Sequence, residues 1–271
     1  MPIGEITRGT TNTNRLRRVD RFIAAHPALR RAEDALVVDL GYGASGVTAF
    51  ELHHRLARVR PDVEVIGLEI SPERVKHAAQ QLKVVRAGLG SFAADAKVSF
   101  ALGGFETPLP GGRRATVIRA FNVLRQYDEA EVQGSWDLML ARLQPGGVLI
   151  EGTCNELGRV ASWIELTASG PQSLTISLRL AELERPSVVA ERLPKALIHR
   201  NVPGERIHDL LIELDRAWQH NAALSVYGAT QRWIASVDAL ESSGWSVLGA
   251  RSRRRLGELT VAWSEVAPLA G

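Results

Sequence analysis

The chain has 271 residues, 45% of them hydrophobic, with a formal charge of +3 and a pI near 9.3. That length and apolar content suit one large α/β domain or a domain carrying an elaborated cap, and no run of 18 or more apolar residues marks a membrane span. No apolar core marks a secretory leader in residues 1–21, and the single cysteine, Cys154, excludes an internal disulfide and any cysteine-based zinc spacing, so a cytoplasmic protein is expected.

Residues 1–13 are polar and rich in Thr, Asn and Gly, and read as an arm. Asn14 is placed to cap a helix over 15–26, with Leu16, Val19, Phe22 and Ile23 on one face. The continuous apolar run 35–40 predicts a buried parallel strand. A helix over 46–60 follows, with Ala49, Leu52, Leu56 and Val59 at helical spacing, and Pro61 ends it. A second strand is expected over 63–70. Ser71 as cap and Pro72 at the first helical position open the next helix. Strands at 97–104 and 115–124, a helix over 128–143 and a strand at 148–153 complete an alternation that predicts a doubly wound, mostly parallel sheet.

The pattern then changes. Residues 160–167 and 172–183 read as two strands of a hairpin around Gly170 and Pro171. Three prolines make 186–205 irregular. Two amphipathic helices follow, the first with Ile207, Leu210, Leu211, Leu214 and Trp218 on one face. Two strands, 245–255 and 256–266, close the chain around a turn near Gly257.

The run V-V-D-L-G-Y-G-A-S-G-V, 37–47, leads the first strand into a glycine-rich turn. From Gly41 it fits the G-x-G-x-x-G dinucleotide pattern; from Asp39 it fits D-x-G-x-G. Glu69, 23 residues beyond Gly46, suits either ligand class as a ribose acid. Asp39 separates the two readings, since its carboxylate repels a pyrophosphate arriving at this turn. It suits the cationic methionine end of S-adenosylmethionine (SAM). About 35 residues before the first strand, the L-x-P-G-G run Leu143–Gly147 and the closing pair of strands agree.

With these motifs the chain resembles a class I SAM-dependent methyltransferase of Rossmann-like type, directly over 35–153 and more loosely over 228–267. The resemblance implies a seven-stranded, mostly parallel sheet with an antiparallel edge. Its expected organisation is an N-terminal arm and helix (1–34), a SAM-binding core (35–154), a substrate cap inserted between strand five and the last helix (155–227), and a C-terminal helix and strands (228–271). Carried over by position, Asp39, Gly41, Tyr42, Gly43 and Ser45 form the cofactor turn. Glu69 is the ribose acid, Gly103, Gly104 and Phe105 lie at the adenine edge with Phe105 or Ile70 packing on the ring, and Asn122 ends strand four beside the methyl group. Two departures stand out. Ser45 occupies the place of a third glycine, with Gly46 one residue later, and G-G-F at 103–105 lacks the usual aspartate.

Methyl transfer is an in-line displacement that needs alignment and, only for a protonated nucleophile, a base. The candidates are Asn122, Glu151 and His199, the last because its ordinary pKa lies near 6.5; Glu151 also suits pairing with an arginine, and His199 a surface position. His53 and His54 are expected on or beside a helix's solvent face. No metal-ligand set is apparent. The strand-four end R-A-F-N-V-L departs from the N/D-P-P-Y/F/W signature of adenine amino-group methylation. The expected acceptor is therefore a small molecule. RNA or tRNA is the alternative, since all but four of the 33 basic residues are arginine and cluster at 15–21 and 251–255. A non-catalytic SAM-binding regulator is a third. The arm is a candidate lid over the cofactor mouth, or a loose tail.

Overall fold

Residues 2–269 are described in the computed structural model; Met1, at the start of the arm, and Ala270 and Gly271, at the end of the C-terminal segment, lie outside the described residues. Two compact units divide the chain: Met1–Glu151 with Glu156–Gly158 and Leu166–Gly170, and Gly152–Asn155 with Arg159–Glu165 and Pro171–Gly271.

In the first unit, α1 (Arg17–Ala25) and α2 (Pro27–Arg31) lead into β1 (Leu36–Leu40), which is buried at every position. α3 (Val47–Leu56), β2 (Glu64–Glu69), α4 (Pro72–Arg86) and β3 (Val98–Leu102) follow, then β4 (Ala115–Phe121), α5 (Glu129–Leu140) and β5 (Leu143–Cys154), whose residues from 152 on belong to the second unit. β1 pairs in parallel with β2 and β4, and β2 with β3. The order β3-β2-β1-β4 reverses direction beside β1, the crevice where open α/β sheets hold ligands. α1 packs on α3, and α4 on β2 and β3. Val19, Ile23, Leu36, Leu52, Leu56 and Ile118 are sealed between these layers. Ser71 caps α4, its hydroxyl accepting from Arg74 N–H, with Pro72 in the first turn. Asp128 and Glu131 form a capping box on α5.

The second unit holds β6 (Val160–Thr167), β7 (Gly170–Leu178), α6 (Lys195–Ile198), α7 (Arg206–His220), α8 (Ala229–Ser242), β8 (Val247–Leu248), α9 (Arg251–Arg254) and β9 (Glu258–Ala262), apart from the end of β6 and the start of β7. β9 runs antiparallel to β7 and β8. α7 and α8 pack through Trp218 and Trp233, whose rings meet edge-on at 6.4 Å. The Arg232 guanidinium lies 3.8 Å above the Trp218 ring.

Several expectations change. Among the described residues the sheet order is β3-β2-β1-β4-β5-β6-β7-β9-β8, nine strands rather than seven. The two runs read as a hairpin of the cap are strands of the sheet itself, because their backbone groups take ladder partners there. The L-x-P-G-G run forms the start of β5 instead of a separate turn. The segment 245–255 is mostly not a strand. Only Val247–Leu248 pairs, and the arginines then form α9. Arg251 and Arg254 bond Asp238, Arg254 also bonds Glu241 at 2.9 Å, and Arg253 holds Glu258. Asn14 is not a helix cap. Its backbone is left-handed, its N–H donates to both Glu51 oxygens at 2.8 and 3.0 Å, and α1 begins three residues later. His53 faces inward, accepting Lys97 N–H at 3.1 Å, and burial lowers its pKa; His54 is exposed.

Candidate cofactor site

The glycine turn leaves β1 with Gly41 N–H bonded to Leu68 C=O at 2.8 Å. Gly41 and Gly43 have φ of +68° and +86°, a conformation only glycine adopts without strain. Gly43 N–H donates to Glu69 Oε2 at 3.0 Å. The other Glu69 oxygen accepts from Ile70 N–H at 3.1 Å, Ser71 N–H at 3.3 Å and the Arg74 guanidinium at 3.4 Å. This fully buried carboxylate therefore braces the turn from the end of β2.

Ser45 ties the turn to α4. Its hydroxyl oxygen accepts from Gln81 Nε2 at 3.0 Å and from Val47 N–H at 3.3 Å, while Gly46 N–H donates to Gln81 Oε1 at 2.9 Å. The displaced third glycine makes room for the Phe100 ring. Tyr42 is buried edge-on to Phe100 at 5.1 Å, and its hydroxyl has no hydrogen-bond partner among the described residues. Burial pushes the Tyr42 pKa up.

Asp39 lies behind the turn, in a buried ionic cluster. Arg119 on β4 is fully buried and reaches Asp39 through Nη2 at 2.7 Å and Nε at 3.0 Å. Thr48 Oγ1 donates to Asp39 at 2.9 Å. The same guanidinium bonds Asp20 of α1, which Arg55 also contacts. Burial raises the Asp20 pKa against the pull of both arginines, and the two carboxylates hold Arg119 charged. The carboxylate expected at the methionine end of a cofactor thus engages the core, and Asp39 is not among the cavity walls.

Gly41, Glu69, Ile70, Gly104, Phe105 and Tyr127 wall one cavity at the carboxyl ends of the strands. Ile3, Gly4, Glu5 and Thr7 of the arm form its remaining side. Ile3 C=O accepts from Phe105 N–H at 2.9 Å, and Ile3 N–H donates to Glu106 Oε2 at 2.7 Å. Gly104 N–H holds the other Glu106 oxygen at 3.1 Å. Glu5 N–H donates to the Tyr127 hydroxyl, and the Tyr127 ring meets Phe105 edge-on at 5.2 Å. Further along, the Thr7 C=O takes Arg74 Nη2 at 2.7 Å, and Gly9 C=O takes Ala44 N–H at 2.9 Å.

The three proposed catalytic positions differ in setting. Asn122 follows β4 in a left-handed backbone (φ +60°), a strained state for a non-glycine residue. Its neighbour Val123 walls the cavity and packs where a Gly41 side chain would project. Glu151 on β5 is fully buried with neither carboxylate oxygen hydrogen-bonded among the described residues, and desolvation raises its pKa to about 8. His199 is exposed just after α6, in the second unit. Among the described residues no group of His, Cys, Asp and Glu is arranged to hold a metal, and no helix is long and apolar enough to cross a membrane.

Glu106 and Arg74 escaped the sequence reading. Glu106 stands two places beyond the expected aspartate position, so G-G-F-E was the signal for it. Arg74 carried none, being one more arginine in the first turn of a helix.

Protein-family models give no match to the chain, and curated proteins give none either. Among solved structures it is similar to a magnesium protoporphyrin IX methyltransferase from Synechocystis PCC 6803 with bound SAH, at 18% identity over 52% of this chain and 55% of that one, with a TM-score of 0.39. It is also similar to the CcbJ methyltransferase from Streptomyces caelestis (22% identity, 59% and 68% covered, TM-score 0.38) and to the N-methyltransferase NodS from Bradyrhizobium japonicum WM9 (19%, 52% and 68%, TM-score 0.35). The chain spans about half the length of the first of these, 55%.

Proposed function

We propose that the first unit binds SAM in the cavity at the ends of β1, β2 and β3, and that the protein transfers the methyl group to a small-molecule acceptor. The observation that carries this reading is the convergence of three strand ends on one cavity. β1 gives a turn that only glycines permit. β2 gives the buried acid Glu69. The segment after β3 gives the Phe105 N–H as donor and the Glu106 carboxylate as acceptor.

These groups fit the cofactor. Glu69 Oε1 already takes three donors, but Oε2, which takes only the Gly43 N–H, retains a lone pair toward the ribose hydroxyls. Phe105 N–H and Glu106 together complement a ring nitrogen beside an amino group, which is the edge adenine presents. Gly104 leaves the space a Cβ would fill, since a side chain there would overlap the Ile3 carbonyl. When bound, SAM supplies an electrophilic methyl on a sulfonium. Asn122 is the proposed positioning group at the end of β4, next to Val123 of the cavity wall. Glu151 is not among the cavity walls, and a carboxyl that keeps its proton up to about pH 8 does not act as the expected base at neutral pH.

A small acceptor is favoured over RNA because three arginines of the basic run 251–255 are ion-paired. Arg251, Arg253 and Arg254 face Asp238, Glu258 and Glu241, which lowers the attraction for phosphate. Calorimetric titration with SAM, S-adenosylhomocysteine (SAH) and NAD tests the reading. SAM and SAH are expected to bind and NAD is not; NAD binding without SAM binding overturns it. Binding to an RNA panel that falls steeply with salt would redirect the acceptor assignment.

A further inference from the structure

We infer that residues 3–11 are a built-in competitor for the cofactor: a strap that fills the adenosine site and must leave for the ligand to bind. The inference rests on the SAM reading above and extends it to how access is controlled.

Space is the first argument. With the strap in place, the cavity keeps only about 20 Å³ of free volume, room for about one water. Pockets for drug-sized ligands run to about 300 Å³ or more. SAM and the strap therefore exclude one another.

Chemical mimicry is the second. The Ile3 peptide offers its C=O to Phe105 N–H and its N–H to Glu106. An adenine edge would offer the same acceptor and donor side by side. Gly9 C=O likewise takes Ala44 N–H in the glycine turn, and Thr7 C=O draws the Arg74 guanidinium that also contacts Glu69. The strap thus satisfies the polar groups that burial would otherwise leave unpaired.

The third argument is that the strap is held weakly. Its large apolar side chains face water: Ile3 is 45% exposed and Ile6 63%. Main-chain hydrogen bonds, not apolar anchors, keep it down, and segments with few buried apolar contacts open at low free energy. Gly4 and Gly9, at φ of +128° and +67°, shape its path. Its base is fixed, because the Arg55 guanidinium holds Asn14 Oδ1 at 2.6 Å and Glu51 holds the Asn14 N–H. A tether at residue 14 with a releasable segment before it is the geometry of a flap.

Gly4→Val in the full chain tests this. A Cβ there lies 2.9 Å from the Tyr127 hydroxyl and 3.3 Å from the Phe105 ring, at a φ that L residues rarely adopt, so the strap is pushed out. A protein lacking residues 2–11 is the second variant. If the strap is closed nine-tenths of the time or more, apparent affinity is lowered by about tenfold or more, and freeing the site restores that factor. SAH titration is expected to show both variants binding about tenfold or more tighter than the unmodified chain. In stopped flow, the on-rate of the unmodified chain should level off with SAH concentration, and that of the variants should rise linearly. Hydrogen exchange without ligand should show the Phe105 and Ala44 amides protected in the unmodified chain and exposed in both variants. Equal or weaker SAH binding by both variants, or amides equally protected in all three proteins, overturns the competitor while leaving the cofactor reading intact. Failure of all three proteins to bind SAH overturns the cofactor reading and the competitor with it.

Discussion

Glu151 gives the sharpest quantitative test, because burial alone sets its behaviour. The carboxyl is fully buried, neither oxygen has a hydrogen-bond partner among the described residues, and desolvation lifts its pKa from 4.5 to about 8. Below pH 4.5 the folded and unfolded chains both carry the proton, and the group has no effect on the pH dependence. Between about 4.5 and 8 the unfolded chain releases its proton while the folded chain keeps it. The folded state then binds more protons, so stability falls as pH rises. The slope is about 1.4 kcal/mol per pH unit, which makes about 5 kcal/mol across the window, with a plateau above pH 8. Glu151→Gln keeps the shape and removes the ionisation. Urea unfolding of both proteins from pH 4 to 9 should give nearly equal stabilities at pH 4. The variant should gain steadily above that, to a lead of about 5 kcal/mol at pH 8.5. Comparing the two proteins cancels every other titrating group. Parallel stability curves across the range would refute the reasoning, for they would mean the folded carboxyl titrates at its ordinary value despite its burial.

Three further outcomes follow from the site. Glu69→Ala removes the acceptor of Gly43 N–H and the proposed ribose contacts; SAH binding, measured by calorimetry, should weaken by about 1–3 kcal/mol. Arg119→Met leaves Asp20 and Asp39 buried without their shared cation and should cost about 3–5 kcal/mol in urea unfolding at pH 7. Gly43→Ala puts a Cβ 2.7 Å from Gly9 C=O at a φ of +86°; exchange of the Ala44 amide should accelerate, and unchanged exchange would count against the close approach of arm and turn.

The parallel strands were legible because each carries a signal that tertiary context does not alter. An apolar run such as 35–40 has nowhere to go but a buried strand, and Gly41 and Gly43 prescribe their own backbone. The helix after Ser71 was equally plain, since cap and Pro72 act locally. What failed to show was long-range. Asn14 has a cap's chemistry, but Glu51, 37 residues away, takes its amide instead. His53 stands among polar residues and reads as exposed, and only packing brings it to Lys97 N–H. Residues 245–255 have the composition of a strand end, but acids on α8 and β9 draw their arginines into a helical turn. Arg119 offered no clue at all, as nothing in A-T-V-I-R-A-F reveals that its charge meets Asp20 and Asp39.

The Arg119 cluster also explains how a releasable arm and a fixed turn coexist in one unit. Burying a guanidinium between two carboxylates is rarely the most stable choice, since apolar residues of similar volume often do as well or better. Its effect here is positional. Asp20 belongs to α1, Asp39 to β1 and Arg119 to β4, so a single guanidinium locks the first helix to the two strands beside the crevice. Arg55 extends the lock to Asn14 and Glu51 at the arm's base. The stretch from Asn14 through α1 is thereby held against α3, β1 and β4 of the first unit, while the segment before it, whose apolar side chains face water, has no such lock. An apolar replacement of the cluster would keep the core packed but lose that directional coupling. Arg119→Met should therefore speed exchange of the Ala44 amide at the turn, where the strap is seated, as well as lower global stability. A loss of global stability with no change in exchange at Ala44 would separate the cluster from the strap.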